Sequence, residues 1–492
     1  NKYMAVLEFE QKPISTSSKA PVITNWTPII GYMLERTTSI AALFYYKLVL
    51  EVRLNSASGT ILGVIKQRRN GYSDDITNNK ARAFFDLRDI VNTQLVNTVF
   101  DQNATTLPFK SIHTLGANED ATHIFSANGD SANSYTQIAS IYVKGYENYS
   151  SAANASPANV TTNAINHTLY YLQATLPLFT PRSTTAAVVQ SGAFNVFNMS
   201  NDTNRFLSDL ELDSAPYGLG SVYRNYVQET DYHTIAFLND ETNFDSENKF
   251  IVIAYYDSSG SIIGVPLSIP NTSTNGGLAP DDAGLTDKTR LLYFGCGPAN
   301  LQASDVVPSG QSAGDAKPSN FSNWAFYIIQ AYSGSASKSA VYHFIKQDGS
   351  CKGFKVRRLA WRNSVGGYDY WNFDMKSTQT LSVERNNYNA LIGTYNESIW
   401  SYNDTQRGKA TSKTTATLKE ILNTDWLSEA EARLMEKLLM STDVYIIENS
   451  DTEFTQAVMI TDSSIVKKTV ANDKLIQYTI NIEYANPINT NS

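Results

Sequence analysis

The sequence predicts a mainly β protein, with two or more β-sandwich-like domains followed by a C-terminal α+β module. Only 17% of the 492 residues are charged, while 11% are aromatic and tyrosine dominates. Apolar runs alternate with polar residues, as in half-buried strands, and Asn, Ser and Thr fill the gaps as turn residues do. Because the chain exceeds what one core usually serves, we expect domains at 1–190, 191–350 and 351–492.

The first predicted element is a β-hairpin. Its first strand alternates cleanly, so that one face carries Tyr46, Leu48, Leu50, Val52 and Leu54. The turn residues Asn55 to Gly59 follow, and a second apolar run covers Ile61 to Ile65. Such a pattern indicates a hairpin with one buried face.

The same hairpin pattern recurs later in the chain. The segment SGTILGV, Ser58 to Val64, is matched by SGSIIGV, Ser259 to Val265, with conservative changes only. An apolar strand precedes both copies, so we predict two related sandwich domains. A third strand pair is predicted at Asn323 to Gln347.

Between these strands the sequence predicts one helix and several loops. Leu87, Ile90, Val91 and Leu95 lie near helical spacing, which predicts a short helix within 84–100. Polar stretches bury little apolar surface and are predicted to be long surface loops; they cover 114–135, 147–166, 268–288 and 302–322.

The C-terminal part has a different pattern. Ser428 and Glu431 form a Ser-x-x-Glu capping box, which predicts a helix of about three turns. Strand-like runs follow it, and the last one places Ile476, Tyr478, Ile480 and Ile482 on one face.

Composition excludes several classes of partner. The net charge is -8 and the sequence has no basic block, so direct nucleic-acid binding is not expected. No apolar run approaches the ~20 residues that span a bilayer, so no membrane association is expected either. Cys296 and Cys351 either form one bridge or remain two separate buried thiols, and we expect no metal or other cofactor.

No catalytic pattern has the context that it needs, and we expect no enzymatic activity. The Gly-x-Ser-x-Gly match at 310–314 lacks the preceding strand of a nucleophile elbow, so Ser312 is predicted to be inert. The acidic stretch Leu238 to Lys249 could hold calcium but lacks an EF-hand pattern, and a polar loop is the default. Asp369 and Asp374 lie five apart, so in a strand they point to opposite faces.

The segment RRLAWRNSVGGYDYWNFDMK, Arg357 to Lys376, predicts a hairpin around an Asn and a Gly pair. In the favoured structural interpretation its aromatic rings pack across strands, Asn363 and Asp369 bond the turn backbone, and both glycines need a positive φ. In the functional alternative, three exposed rings stack on a sugar; these would be Trp361, Tyr370 and Trp371.

The segments from Cys351 to Ala485 are similar to the C-terminal half of virion structural proteins of tailed bacteriophages, particularly those of Bacteroidetes-type hosts. The resemblance rests on an Arg-Leu-x-Trp-x-Asn-x-x-Gly-Gly-x-Asp stretch, a short helix and a strand pair. The stretch and its neighbours supply the candidate structural or interface residues Leu359, Trp361, Asn363, Gly366, Gly367, Tyr368, Asp369 and Tyr370.

This resemblance implies a non-enzymatic tail, connector or baseplate subunit of the virion. Its expected partners are copies of itself, other virion proteins and host surface glycans. The alternative is a carbohydrate-binding receptor-recognition protein, of the tail-fibre, spike or lectin type. The β-rich pattern and long polar loops are typical of a subunit that packs against copies of itself.

Overall fold

The protein is mostly β, with its strands in several sheets. The computed structural model describes residues 7–11, 22–24, 31–38, 40–54, 56–68, 81–93, 113–114, 138–172, 202–214, 220–238, 249–270, 291–301, 323–347, 353–447, 455–462, 476–486 and 488–491. The chain divides into two units. The first comprises Asn1–Asp209, Ser214–Lys346 and Asn363–Tyr368; the second comprises Leu210–Asp213, Gln347–Arg362 and Asp369–Ser492.

The N-terminal part of the first unit contains two sheets. A five-stranded sheet has the order β2-β9-β8-β4-β5, with β2 parallel to β9, and a three-stranded sheet has the order β1-β3-β6. The elements are β1 (Leu7–Gln11), β2 (Val22–Thr24), β3 (Gly31–Arg36), β4 (Phe44–Leu54), β5 (Ile61–Gln67), β6 (Ala81–Asp86), α1 (Arg88–Asn92), β7 (His113–Thr114), β8 (Ile138–Ser150) and β9 (Ala158–Leu172).

These two sheets share one core, in a sandwich-like arrangement. Leu34 and Phe85 of the smaller sheet and Leu48 and Leu50 of the larger one are fully buried in the same cluster. Gly145 of β8 allows close approach, because a Cβ there would lie 2.7 Å from a methyl carbon of Leu34. The predicted one-sided burial of the first hairpin therefore follows from packing against a second sheet.

The later part of the first unit again contains two sheets. One has seven strands in the order β10-β11-β18-β16-β13-β14, with β11 parallel to β18 and β17 beside β16, and the other has the order β12-β15-β7. The elements are β10 (Leu212–Ser214), β11 (Ser221–Val227), β12 (Thr234–Leu238), β13 (Lys249–Tyr256), β14 (Ile262–Pro270), β15 (Leu291–Gly295), α2 (Pro298–Leu301), β16 (Phe326–Ser333), β17 (Ala336–Ser337) and β18 (Tyr342–Lys346).

The two parts share a topology. Strands β2-β9-β8-β4-β5 correspond to β11-β18-β16-β13-β14, the pair β3-β6 corresponds to β12-β15, and a short helix follows β6 as one follows β15. Each repeated hairpin has a register shift at the matching place, after Val52 and after Ile253. The predicted hairpin repeat is confirmed, and it belongs to a larger repeat of seven strands and one short helix.

The second unit is built on one large sheet, ordered β20-β19-β25-β26-β27-β24-β21, with β28 beside β24 and a separate pair, β22-β23. Its elements are β19 (Arg357–Arg362), β20 (Tyr368–Phe373), β21 (Thr378–Asn389), β22 (Thr394–Asn396), β23 (Ile399–Ser401), β24 (Lys409–Asn423), α3 (Glu429–Met440), β25 (Val444–Ile447), β26 (Gln456–Ile460), β27 (Thr479–Tyr484) and β28 (Ile488–Asn491).

The predicted capped helix is confirmed as α3. The Ser428 hydroxyl accepts a hydrogen bond from the Glu431 backbone N–H at 3.2 Å, and the Glu431 carboxylate accepts one from the Ser428 N–H at 2.8 Å. Both bonds satisfy N–H groups that a helix start leaves without partners. The face predicted for the last strand is also confirmed, since Tyr478, Ile480 and Ile482 are buried.

Two expectations from the sequence differ from the structure. Residues 147–166 were expected to form a loop, but most of them extend β8 and β9 as paired strands joined by a turn at 151–157. Much of β9 faces solvent, so a polar strand is stable there without apolar residues. The long strands β21 and β24 were not predicted at all.

Candidate functional site

The predicted Asn-Gly-Gly turn is held by Asn363, which is buried. Its side-chain oxygen accepts hydrogen bonds from the N–H groups of Gly367, at 2.8 Å, and Val365, at 3.2 Å. Its side-chain nitrogen donates to the Leu207 carbonyl oxygen at 2.8 Å. Asn363 therefore organises the turn, as predicted, and also fastens it to the segment around Leu207 within the first unit.

The two glycines of this turn have different roles, which corrects the expectation that both need a positive φ. Gly366 has a φ of 91°, a conformation that side chains rarely adopt. Gly367 lies outside this region, but a Cβ there would be 2.1 Å from the Leu207 carbonyl oxygen. Gly366 is required by backbone conformation, and Gly367 by close approach.

The rings proposed as a sugar platform are buried. Trp361 has no exposed surface, and Tyr370 and Trp371 are 3% and 7% exposed. Every residue of β19 and β20 is buried, including Leu359, Tyr368 and Asp369. These rings offer no open face on which a sugar could stack, so the hairpin is a packing element.

A buried ion pair ties the strands of this sheet together. Glu420 of β24 is fully buried and accepts hydrogen bonds from Arg357 at 2.8 Å, from Gln379 at 3.0 Å and from Tyr484 at 3.0 Å. Burial alone would raise the pKa of Glu420, but these three donors outweigh it and lower the pKa. The carboxylate is thus charged and links β19, β21, β24 and β27.

Among the described residues of the second unit, exposed large apolar side chains are concentrated on an arm, which comprises residues 378–423. All twelve residues of β21 are exposed, and β21 is an edge strand that pairs with β24 along its length. Strand β28 pairs with β24 no farther out than Lys413 among the described residues, so the outer arm is a two-stranded ribbon.

The arm carries many large apolar side chains in solvent. At its tip, β22 and β23 form a small hairpin in which Glu397 has a φ of 44°, and Leu391 is 83% exposed. The exposed large apolar residues of the arm are Leu381, Val383, Tyr388, Leu391, Ile392, Tyr395, Ile399, Trp400, Tyr402 and Ile421. Exposed apolar surface of this kind is typical of surfaces that contact another molecule.

A second candidate site is an open pocket of about 1160 Å³ in the first unit. Tyr45, Tyr46, Lys47, Arg68 and the turn 153–157 line it. Tyr45 is 61% exposed, and its hydroxyl donates a hydrogen bond to the Ala153 carbonyl oxygen at 2.9 Å. Its φ is 58°, which is strained for a residue with a side chain. The ring is therefore fixed across the pocket wall.

The base of this pocket is held by a charged cluster. The Tyr46 hydroxyl donates to the buried Glu147 carboxylate at 2.8 Å, and Arg36 forms an ion pair with the same carboxylate. The Arg36 guanidinium also lies 5.7 Å from the centre of the Tyr46 ring. Burial and the Glu147 carboxylate raise the pKa of Tyr46, so its hydroxyl stays protonated as a donor.

The remaining candidate residues from the sequence either lie outside the described residues or are buried. Ser312, Cys351 and residues 239–248, the centre of the acidic stretch, lie outside the described residues, while Cys296 is buried. No cluster of metal-binding side chains and no helix able to span a bilayer occurs in the part of the chain that the structure describes. Burial lowers the pKa of His343 to about 4, which keeps this histidine neutral.

Comparisons with known proteins add little to this geometry. No protein-family model matches the chain, and no curated protein matches it significantly. Among solved structures, a three-domain immunoglobulin segment of titin, domains I67–I69 in an E-to-A variant, is similar at 8% identity. The match covers 85% of this chain and 94% of that chain with a TM-score of 0.13, which is too low to carry an argument.

The sequence reasoning missed both exposed surfaces. The arm has a signal in the run LIGTYNESIWSY, where large apolar residues crowd a polar stretch without core periodicity. Tyr45 has a weaker signal, since it stands beside Tyr46 at the start of a strand and would usually be assigned to the core. In both cases the candidate site is recognised only from the exposure of its side chains in the structure.

Proposed function

We propose that this chain is a structural subunit of a tailed-bacteriophage virion, in a tail, connector or baseplate layer, that assembles with copies of itself through the arm. The observation that carries the proposal is the exposed apolar arm of residues 378–423. The assignment to a virion rests on the resemblance of the stretch from Leu359 to Asp369 to virion structural proteins. The buried position of that stretch agrees with a role in folding the subunit.

An arm left uncovered in water would be unfavourable for two reasons. An isolated two-stranded ribbon is marginally stable in water. An edge strand with unpaired N–H and C=O groups and apolar side chains also promotes association unless charges or coverage prevent it. On the arm, Leu391 and Ile399 are 83% and 69% exposed. A copy of the same chain is the partner always present at equal concentration, and symmetric homo-oligomers are the commonest assemblies.

The mass of the native particle tests this proposal. Light scattering after size exclusion, with negative-stain electron microscopy, should show a closed homo-oligomer for the native chain. A triple variant, Tyr395→Ser, Ile399→Ser and Trp400→Ser, removes apolar surface from the arm tip and should shift the protein towards monomer. The matched control is Ile262→Ser with Val265→Ser, which removes exposed apolar residues from β14 and should leave the assembly unchanged.

A native chain that remains monomeric at micromolar concentration would contradict the proposal, as would an arm variant that assembles like the native chain. Loss of assembly in the β14 control as well would show that general surface hydrophobicity, and not the arm, drives association. The circular dichroism spectrum of each variant should match that of the native chain.

A further inference from the structure

The pocket beside Tyr45 has features that the fold does not require. By the alignment of the repeated hairpins, residues 44–47 read Phe-Tyr-Tyr-Lys, whereas the equivalent residues 245–248 read Asp-Ser-Glu-Asn. The strand order that follows is the same in both parts. Tyr46 belongs to the buried core, so the fold accounts for it, but core packing does not account for Tyr45 and Lys47 beside it.

The strained backbone of Tyr45 indicates what that explanation is. Non-glycine residues with a positive φ cluster at ligand-binding positions, where the surrounding structure holds them in place. Here the hydrogen bond to Ala153 holds the ring, and more than half of the side chain remains exposed. A fixed tyrosine ring with an open apolar face and a polar rim suits stacking against a sugar ring.

The charge of the pocket further restricts the class of ligand that it can bind. Lys47 and Arg68 line it. Among the residues that the structure describes, no Asp or Glu lines the pocket and neither cation has an ion pair. The charge of Arg36 below is balanced by Glu147. In a chain of net charge -8 this is a local excess of positive charge, suited to a carboxylate, sulfate or phosphate.

From this combination we infer that the pocket binds an acidic carbohydrate, with one sugar ring stacked on Tyr45 and its anionic group held by Lys47 and Arg68. Asn154 and Ser156 of the turn offer polar groups to the sugar hydroxyls. The residues of this site belong to the first unit and the arm belongs to the second, and the inference does not depend on the assembly role.

Calorimetric titration of the full chain tests the inference with paired probes. Tetragalacturonate and sialyllactose carry carboxylates, and their neutral counterparts are the methyl ester of tetragalacturonate and lactose. Inorganic phosphate and sulfate test for a site that accepts any anion. We expect at least one acidic sugar to bind about tenfold more tightly than its neutral counterpart, a difference of about 1.4 kcal/mol.

Variants locate the site. Tyr45→Gly removes the ring and relaxes the positive φ, so it should weaken binding at least tenfold without lowering the melting temperature. Lys47→Gln with Arg68→Gln should abolish the preference for acidic sugars. Lys66→Gln, on the neighbouring exposed strand, is the charge control and should change affinity less than twofold.

Several outcomes would overturn the inference. These are no binding of either acidic sugar, equal binding of neutral and acidic members, binding of phosphate as tight as that of the sugars, or unchanged binding in Tyr45→Gly.

Discussion

Replacing Trp361 by alanine tests whether the aromatic hairpin is a packing element. The side chain is fully buried, and its indole N–H has no hydrogen-bond acceptor among the described residues. Burying a side chain of this size removes roughly 150–250 Å² from water, worth about 4–6 kcal/mol at ~25 cal/mol per Å². Measured losses for such truncations are about 3–5 kcal/mol.

The indole N–H places the expected loss at the lower end of that range. A buried donor without an acceptor costs about 1–3 kcal/mol, and this cost disappears with the ring. We therefore expect Trp361→Ala to lower the free energy of unfolding by about 3–4 kcal/mol. With a urea dependence near 2 kcal/mol per M, the midpoint would move down by about 1.5–2 M.

The assay is urea unfolding followed by far-ultraviolet circular dichroism, which does not depend on the tryptophan being removed. Trp426→Ala is the matched control, because Trp426 belongs to the same unit and is 54% exposed. We expect that control to cost under about 1 kcal/mol. A loss below about 0.5 kcal/mol for Trp361→Ala would refute the packing role.

Three further predictions concern single positions. Gly367→Ala should lower the stability measured in a thermal melt by about 1–3 kcal/mol, because the new Cβ would meet the Leu207 carbonyl oxygen. Gly366→Asn should cost under about 1 kcal/mol, because Asn tolerates a positive φ. Equal losses in the two variants would contradict the different roles of the two glycines. Because folding lowers the pKa of Glu420, the contribution of this carboxylate to stability is complete above the unfolded pKa of 4.5 and is lost as the pH falls below that value. Glu420→Gln should therefore flatten the fall in melting temperature between pH 5 and pH 3, and an unchanged slope would exclude this contribution. Glu397→Gly should stabilise the arm tip, seen as slower hydrogen exchange there, and faster exchange would oppose the strain argument.

The sequence predicted those features that depend on neighbours along the chain. The capping box of α3 succeeded because Ser428 and Glu431 bond each other across a single turn. The prediction of the hairpin repeat was correct because alternation and turn residues act locally. Asn363 succeeded for the same reason, since its side chain bonds the backbone of its own turn.

Other features depended on contacts between distant segments, and there the sequence failed. Gly367 is needed because the Leu207 carbonyl oxygen lies against it, and no local pattern announces that contact. The polar sequence of residues 147–166 resembled that of a loop, because paired strands that face solvent can form without apolar residues. The arm was missed because the large apolar residues of its tip stand in a polar stretch and follow no core periodicity.

By itself, the sequence of this protein determined the mostly β class, the repeated hairpin, the capped helix and the turn at Asn363, because each rests on interactions within a few residues. Only the tertiary structure decided which aromatic residues are exposed. Trp361 and Tyr45 are both aromatic residues in predicted strands, yet packing buries the first and leaves the second 61% exposed. Exposure is a property of what lies across from a side chain, and that is set by segments far away in the chain.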